Sequence, residues 1–281
     1  MSYRTLLVHV DNSDQCRARV AFAAAMAARL PAHLTGLYLP FRPENCTAAA
    51  PTSRRFAGDP LRPESDVRRL AYAERTFSDV CDRQALVAEW LAPQSDDSCR
   101  EMRTRARYTD LVIVGQEDRN DPETSPSLAF VDSVVLNSGR PVLILPYAGA
   151  PPTTFENILL AWDGGREAAR AMVDALPLLR AAKVVRITNV RRADGSISLG
   201  PIPGADIAIF AARHGVPVEV TPELGGNDVD IGERLLSRAA DHNAQLIVMG
   251  AYGHSRMQEW VLGGVTRTML ERMRIPVMMS H

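Results

Sequence analysis

The residues able to do chemistry in this sequence gather after one apolar run near its C-terminus, in the segment Met249–Arg267 (MGAYGHSRMQEWVLGGVTR). Gly250 and Gly253 stand three apart, and Gly263 follows ten residues later. Glycines just past a buried strand let the backbone open so that amide N–H groups face an anion. Gly263, Gly264, Val265 and Thr266 then fall where a last helix should begin. A helix N-terminus, with orphan N–H groups and a positive dipole end, favours phosphate. Thr266 adds a hydroxyl. Glycines so spaced also make plain tight turns, so the spacing alone leaves both readings open. Asp163, at the end of another apolar run, is the second candidate. A carboxylate there accepts from an adenine amino group or a ribose hydroxyl, or it caps the helix that follows Gly164-Gly165.

Other chemistries fare worse. The chain holds no G-x-x-x-x-G-K-[ST], no G-x-G-x-x-G after its first apolar run and no G-x-S-x-G, which removes the P-loop, the dinucleotide fingerprint and the nucleophile elbow. His254, Ser255 and Glu259 resemble a hydrolytic trio in type, but neighbouring loop residues seldom orient a base through a third group. The cysteines Cys16, Cys46, Cys81 and Cys99 form no C-x-x-C pair and no zinc spacing, so they read as isolated reduced thiols. The net charge is −1, without the basic excess that nucleic-acid binding draws on. Arg100, Arg103, Arg105 and Arg107 are diluted by Asp96, Asp97, Glu101 and Asp110 and read as a solvated helix face. The apolar stretch Val20–Leu30 is too short to span a bilayer, and the opening residues do not form a signal peptide. A cytoplasmic protein is expected, with no nucleic-acid or membrane partner.

The elements that must position these residues come in two sets. The chain has 281 residues, enough for two domains, and it repeats itself. Arg4–Asp11 matches Glu156–Asp163 at an offset of 152 residues. Thr109–Gly115 matches Ala244–Gly250, and Arg140–Pro146 matches Ile275–His281, both at an offset of 135. The first half therefore carries 17 extra residues, and the Pro-rich stretch Pro40–Pro63 reads as the loop or flap that holds them. Domains over 1–148 and 152–281 follow, joined by a Gly/Pro-rich linker. In the second half, strands are expected at Asn157–Trp162, Lys183–Val190, Val216–Val220, Gln245–Met249 and Pro276–Ser280. Helices are expected at Glu167–Leu179, Pro203–His214, Asp228–Asp241 and Thr266–Arg274. The first half follows suit, with strands at Thr5–Val10, His33–Leu39, Ala85–Trp90, Leu111–Val114 and Val142–Leu145 and helices at Asp14–Leu30, Glu64–Asp82 and Asp96–Arg107. Unalternating apolar runs separated by helices predict an α/β fold with a parallel sheet covered on both faces. Ligands in such folds bind at the carboxyl ends of the strands, where the strand order reverses.

The run Gly250-Ala-Tyr-Gly-His-Ser-Arg, Leu262-Gly-Gly-Val-Thr-Arg and Ile275-Pro-Val resembles the universal stress protein signature, G-x2-G-x9-G-[ST], and the chain is similar to a tandem member of that family. The resemblance implies two Rossmann-like domains of the adenine nucleotide alpha hydrolase kind, each a five-stranded parallel sheet in the order 3-2-1-4-5. It also implies ATP or AMP as ligand, with Mg when the nucleotide brings it. Ala161, Trp162 and Asp163 would lie beside adenine and ribose, and Val190 would offer backbone groups to adenine. Met249, Gly250, Gly253 and His254 would follow the ribose and phosphates, and Gly263, Gly264, Val265 and Thr266 would close on the phosphates. Gly264 departs from the pattern's Ser or Thr, and Thr266 is the expected substitute.

The first half departs further. Gly253 corresponds to Asp118, Gly263 to Leu128 and Gly264 to Ala129, leaving Gly115 alone. Carboxylates at Glu117, Asp118 and Asp121 would repel phosphates, so no ATP is expected there, while Asp11 is retained and leaves room for a different ligand. The family resemblance also implies pairing of last strands, here Val142–Leu145 with Pro276–Ser280 in an intramolecular pseudo-dimer, and a homodimer besides. The expected function is a stress-response regulator or adaptor governed by nucleotide, at most a slow ATPase or a self-phosphorylating protein at Thr266 or Ser255. The alternatives are a nucleotide-independent partner-binding module and, disfavoured by the lack of S-G-G-x-D-S, an ATP-pyrophosphatase.

Overall fold

The computed structural model describes residues 2–40, 64–93, 97–190, 204–224, 231–253 and 264–281. Cys46, His254, Ser255, Glu259, Gly263 and nearly all of the expected Pro40–Pro63 flap lie outside the described residues. The chain divides into two compact units, Ser2–Thr153 and Thr154–His281.

The first unit runs β1 (Thr5–Val10), α1 (Cys16–Arg29), β2 (His33–Tyr38), α2 (Glu64–Arg83), β3 (Ala88–Leu91), α3 (Ser98–Ala106), β4 (Leu111–Gly115), α4 (Leu128–Asn137) and β5 (Val142–Leu145). Its sheet order is β3-β2-β1-β4-β5, with parallel pairing. The second unit runs β6 (Asn157–Trp162), α5 (Arg166–Asp174), α6 (Leu176–Leu179), β7 (Val184–Val190), α7 (Ala205–Arg213), β8 (Val218–Leu224), α8 (Ile231–Asp241), β9 (Leu246–Gly250), α9 (Gly264–Arg272) and β10 (Val277–Ser280). Its order is β8-β7-β6-β9-β10, again parallel. Each unit thus has the order 3-2-1-4-5 in its own chain sense. The central strands are aliphatic and buried on both faces, as β4 and β9 show, because crossover helices cover both sides of a parallel sheet.

Several elements differ from expectation for local reasons. The helix expected over Glu167–Leu179 is two, α5 and α6, because Pro177 has no N–H for the carbonyl four residues back. The strand expected from Ala85 starts at Ala88, since Ala85 has φ +50° and the N–H groups of Gln84, Ala85 and Leu86 fold back on Cys81 and Asp82. β8 begins two residues later than expected and runs on to Leu224. It tolerates Pro222 because it is an edge strand of its unit, where one side of the chain needs no ladder partner. Helix α4 was not expected. Ser127 accepts the Phe130 N–H at 3.2 Å to start it, and Val131, Val134 and Val135 bury its inner face.

Candidate functional site

In the second unit β6 pairs with both β7 and β9, so the carboxyl ends of three strands lie side by side. This brings Ala161, Trp162 and Asp163, Val190, and Met249 and Gly250 to one edge. Ala161 and Met249 are buried, while Trp162, Asp163, Val190 and Gly253 are half-buried. Asp163 Oδ1 accepts the Gly165 N–H at 2.8 Å, so the carboxylate shapes the turn into α5. Gly250 lies against that helix. A Cβ there would sit 2.5 Å from Ala168 N and 2.6 Å from Glu167 C, backbone atoms with nowhere to go. The loop after β9 is pinned at its root, with Ala251 N–H donating to Ser280 O at 2.9 Å and a His281 ring N–H donating to Ala251 O at 3.0 Å. Gly264 opens α9 and is exposed, and Val265 is half-buried. Thr266 is only 3% exposed, and its hydroxyl accepts the Tyr252 N–H at 3.4 Å. That hydroxyl ties the loop to α9, a different duty from the phosphate contact expected of it.

The same edge of the first unit is built from larger, charged side chains. Asp11 and Arg19 are 2% and 3% exposed, and Arg19 Nη2 faces Asp11 Oδ2 at 2.7 Å as an ion pair. Arg19 Nε donates to His9 O at 2.8 Å. Asp11 Oδ1 also accepts the Ser13 N–H at 3.0 Å, the counterpart of the Asp163 turn. Burial alone would raise the Asp11 carboxyl, but the Arg19 guanidinium holds it below its ordinary value. His9 donates Nε2–H to Leu39 O at 2.9 Å and packs on Phe130 at 4.9 Å between ring centres. Burial foremost pushes its pKa down to about 4, so the ring is neutral. The retained Asp11 carboxylate is thus engaged by Arg19 and Ser13 within the core.

Where the second unit presents glycines, the first presents acids. Glu117 Oε1 accepts the Leu128 N–H at 3.0 Å, placing a carboxylate at the start of α4 where an anion would otherwise sit. Asp118 Oδ1 accepts the Asn120 N–H at 2.9 Å, and Asp121 accepts the Thr124 hydroxyl. Arg19, Gly115, Asp118, Asp121 and Ser125 line a cavity of about 20 Å³, room for about one water.

The model of the Universal stress protein family matches residues 154–281. The second unit belongs to that family. Among solved structures, the chain is similar to a universal stress protein from Archaeoglobus fulgidus DSM 4304, at 17% identity and a TM-score of 0.68, over 98% of this chain and 95% of that one. It is also similar to a putative universal stress protein from Pseudomonas aeruginosa UCBPP-PA14, at 16% identity and a TM-score of 0.57, over 99% and 93%. At these identities the likeness speaks for the fold. No curated protein matches the chain. Among the described residues no three His, Cys, Asp or Glu side chains stand together as a metal site, and none of the described helices is long and apolar enough to cross a membrane.

Three features of these two strand edges escaped sequence reading. Arg19 left a signal, being the one charge among Cys16, Val20, Ala23 and Ala27 on the buried face of α1. Glu117 left none beyond its sign. Asn189, at the tip of β7, is buried yet looked like an ordinary strand residue.

Proposed function

We propose that the second unit binds an adenine nucleotide, ATP or AMP, at its carboxyl edge and that the first unit does not. The observation that carries this is a set of substitutions between matched positions. Cys16, Arg19, Val20 and Ala23 are buried in α1, and Ala168, Ala171, Met172 and Ala175 are buried 152 residues later, which fixes the correspondence. Across it, His9 becomes Ala161, Asn12 becomes Gly164 and Arg19 becomes Ala171. Tyr38, opposite Val10 in the ladder, becomes Asn189, opposite Trp162. At each of these four positions the second unit carries the smaller side chain, beside a retained Asp163 and the family's glycines, while Val10 gives way to the larger Trp162.

In this reading Ala161, Trp162 and Val190 flank the base, and Asp163 takes the ribose or the base amine. Gly250 and Gly253, with the N-terminal turn of α9 at Gly264 and Val265, face the phosphates. His254 and Gly263 belong to the same signature. Magnesium would arrive with a triphosphate rather than on a protein carboxylate cluster. The described residues offer no base positioned against a phosphoryl acceptor, and Thr266 is buried and engaged. A nucleotide-responsive regulator or adaptor acting in the cytoplasm fits this site better than a fast enzyme.

Calorimetric titration of the nucleotide-stripped full chain with Mg-ATP tests the reading. Saturation at one site per chain is the expected result. No binding at millimolar ATP overturns it and selects the second reading, a nucleotide-independent partner-binding module, which the loss of a hydroxyl at Gly264 and the internal use of the Thr266 hydroxyl favour.

A further inference from the structure

Asn189 ends β7 beside Val190 and is 7% exposed. Its Nδ2 is buried and has no hydrogen-bond partner among the described residues. A buried donor left unpaired is costly and calls for an explanation. The backbone around it is arranged to keep the amide in place. Gly204, at φ +82°, forms the N-cap of α7, and a side chain on it would collide with the Asn189 amide.

The repeat supplies a comparison for this position. Tyr38 occupies the same ladder position in the first unit, and its hydroxyl accepts from Asn12 Nδ2 at 2.9 Å, across the turn that leaves β1. Its ring also packs on Trp90. That side-chain pair closes the space between the tips of the first two strands. In the second unit the position of Asn12 is Gly164, which has no side chain to reach across, and Asn189 is too short to fill the span itself. The unpaired donor therefore stands at the tip of β7, next to the backbone expected to flank a base.

We propose that Asn189 reads the edge of the base: its carboxamide donates from Nδ2 to a ring nitrogen and accepts at Oδ1 from the exocyclic amine of adenine, the paired pattern in which asparagine meets adenine elsewhere. This rests on the nucleotide reading above and deepens it, because it makes one side chain of this chain the determinant of base choice.

The test is a set of titrations of the full chain with ATP, purine riboside triphosphate, which lacks the exocyclic amine, and GTP. Wild type, Asn189→Leu and Asn189→Ser are compared. Wild type is expected to prefer ATP over the amine-free analogue by about tenfold, the worth of one good buried hydrogen bond. Asn189→Leu should bind ATP about tenfold more weakly and bind the two triphosphates alike, a loss of coupling that a merely structural residue would not produce. Should Asn189→Leu fail to fold, the same ratio in Asn189→Ser decides. An unchanged ATP-to-analogue ratio in the variants, with wild type binding ATP, overturns the role of Asn189 and leaves the nucleotide site standing. Absence of any nucleotide binding by wild type overturns the site itself, and the inference with it.

Discussion

Two strand tips in this chain, at Asp11 and Asp163, share sequence, register and turn geometry yet meet opposite environments. Both follow an aliphatic first strand, and both accept an N–H two residues ahead. Asp11 is then sealed by Arg19, beside a neutral His9 whose ring packs on Phe130. Asp163 stays half-buried, and the positions matched to His9, Asn12 and Arg19 are Ala161, Gly164 and Ala171. The difference teaches that a parallel sheet's carboxyl edge must have its polar ends satisfied in one of two ways. In the first unit the protein supplies the counter-charges itself, as Arg19 does for Asp11 and Glu117 does for the start of α4; in the second, under the function proposed above, small residues leave that role to a ligand. Erosion of a glycine motif is thus accompanied by gain of internal partners.

The sharpest way to break the comparison is to remove the partner. Arg19→Met leaves Asp11 buried without its cation, which costs about 3–5 kcal/mol. Denaturant unfolding should show the first unit destabilised by that order while nucleotide titration of the second is unchanged. If the two transitions shift together, the units are not independently satisfied.

Acid should separate the units next. The folded pKa of His9 lies at about 4, below the ordinary 6.5. As pH falls through this interval the unfolded chain takes up the proton first, so stability present at neutral pH is lost on the way down. The gap corresponds to roughly 3 kcal/mol. Asp11, also held below its ordinary value, adds to the loss at lower pH still. The second unit has Ala161 at the matched position and lacks this response. Unfolding curves across the interval should show the first unit's transition weakening, and His9→Asn should flatten that slope.

What could be read from the sequence follows the physics of each signal. The covered parallel sheet follows from aliphatic runs alternating with helices, the strand order is implied only by the family resemblance, and the candidate edge follows from glycines after β9 together with Asp163. These are local patterns. Arg19 and His9 could not be paired with Asp11 from sequence, because the pairing is made across an α1–β1 contact, although a lone arginine on an alanine face was a visible anomaly. Asn189 carries meaning only beside Tyr38, and their equivalence rests on ladder register rather than on alignment. The break at Pro177 was legible and overlooked, whereas α4 was hidden because its glycine-to-leucine and glycine-to-alanine changes removed the mark that locates its counterpart.

Close approach gives a third contrast. Gly250→Ala drives a methyl group into the backbone of Ala168 and Glu167, an overpacking cost of about 1–3 kcal/mol, and displaces α5 from the edge that carries Asp163. Thermal melting should fall and ATP binding should be lost. Gly115→Ala meets the end of the Arg19 side chain instead. A side-chain tip yields more readily than backbone, so the first unit should lose less. Equal losses would mean that the Arg19 ion pair is as unyielding as a helix backbone.

The smallest expected effect restores what the second unit lacks. Gly264 opens α9, and a Cβ placed on it meets nothing within 4 Å among the described residues, so serine fits there without strain against them. Replacing glycine in a helical turn itself stabilises by a few tenths of a kcal/mol. The added hydroxyl would stand at the helix N-terminus, where it can donate to a phosphate oxygen. Gly264→Ser should therefore tighten ATP by about threefold to tenfold, the range of one ordinary hydrogen bond, and leave adenosine unchanged. The matching Ala129→Ser in the first unit should confer no nucleotide binding, because the Glu117 carboxylate already occupies the start of α4. A gain for adenosine equal to that for ATP would trace the effect to helix stability rather than to phosphate. A gain at Ala129→Ser would mean that small residues alone, without removal of the internal anion, decide which edge accepts a ligand.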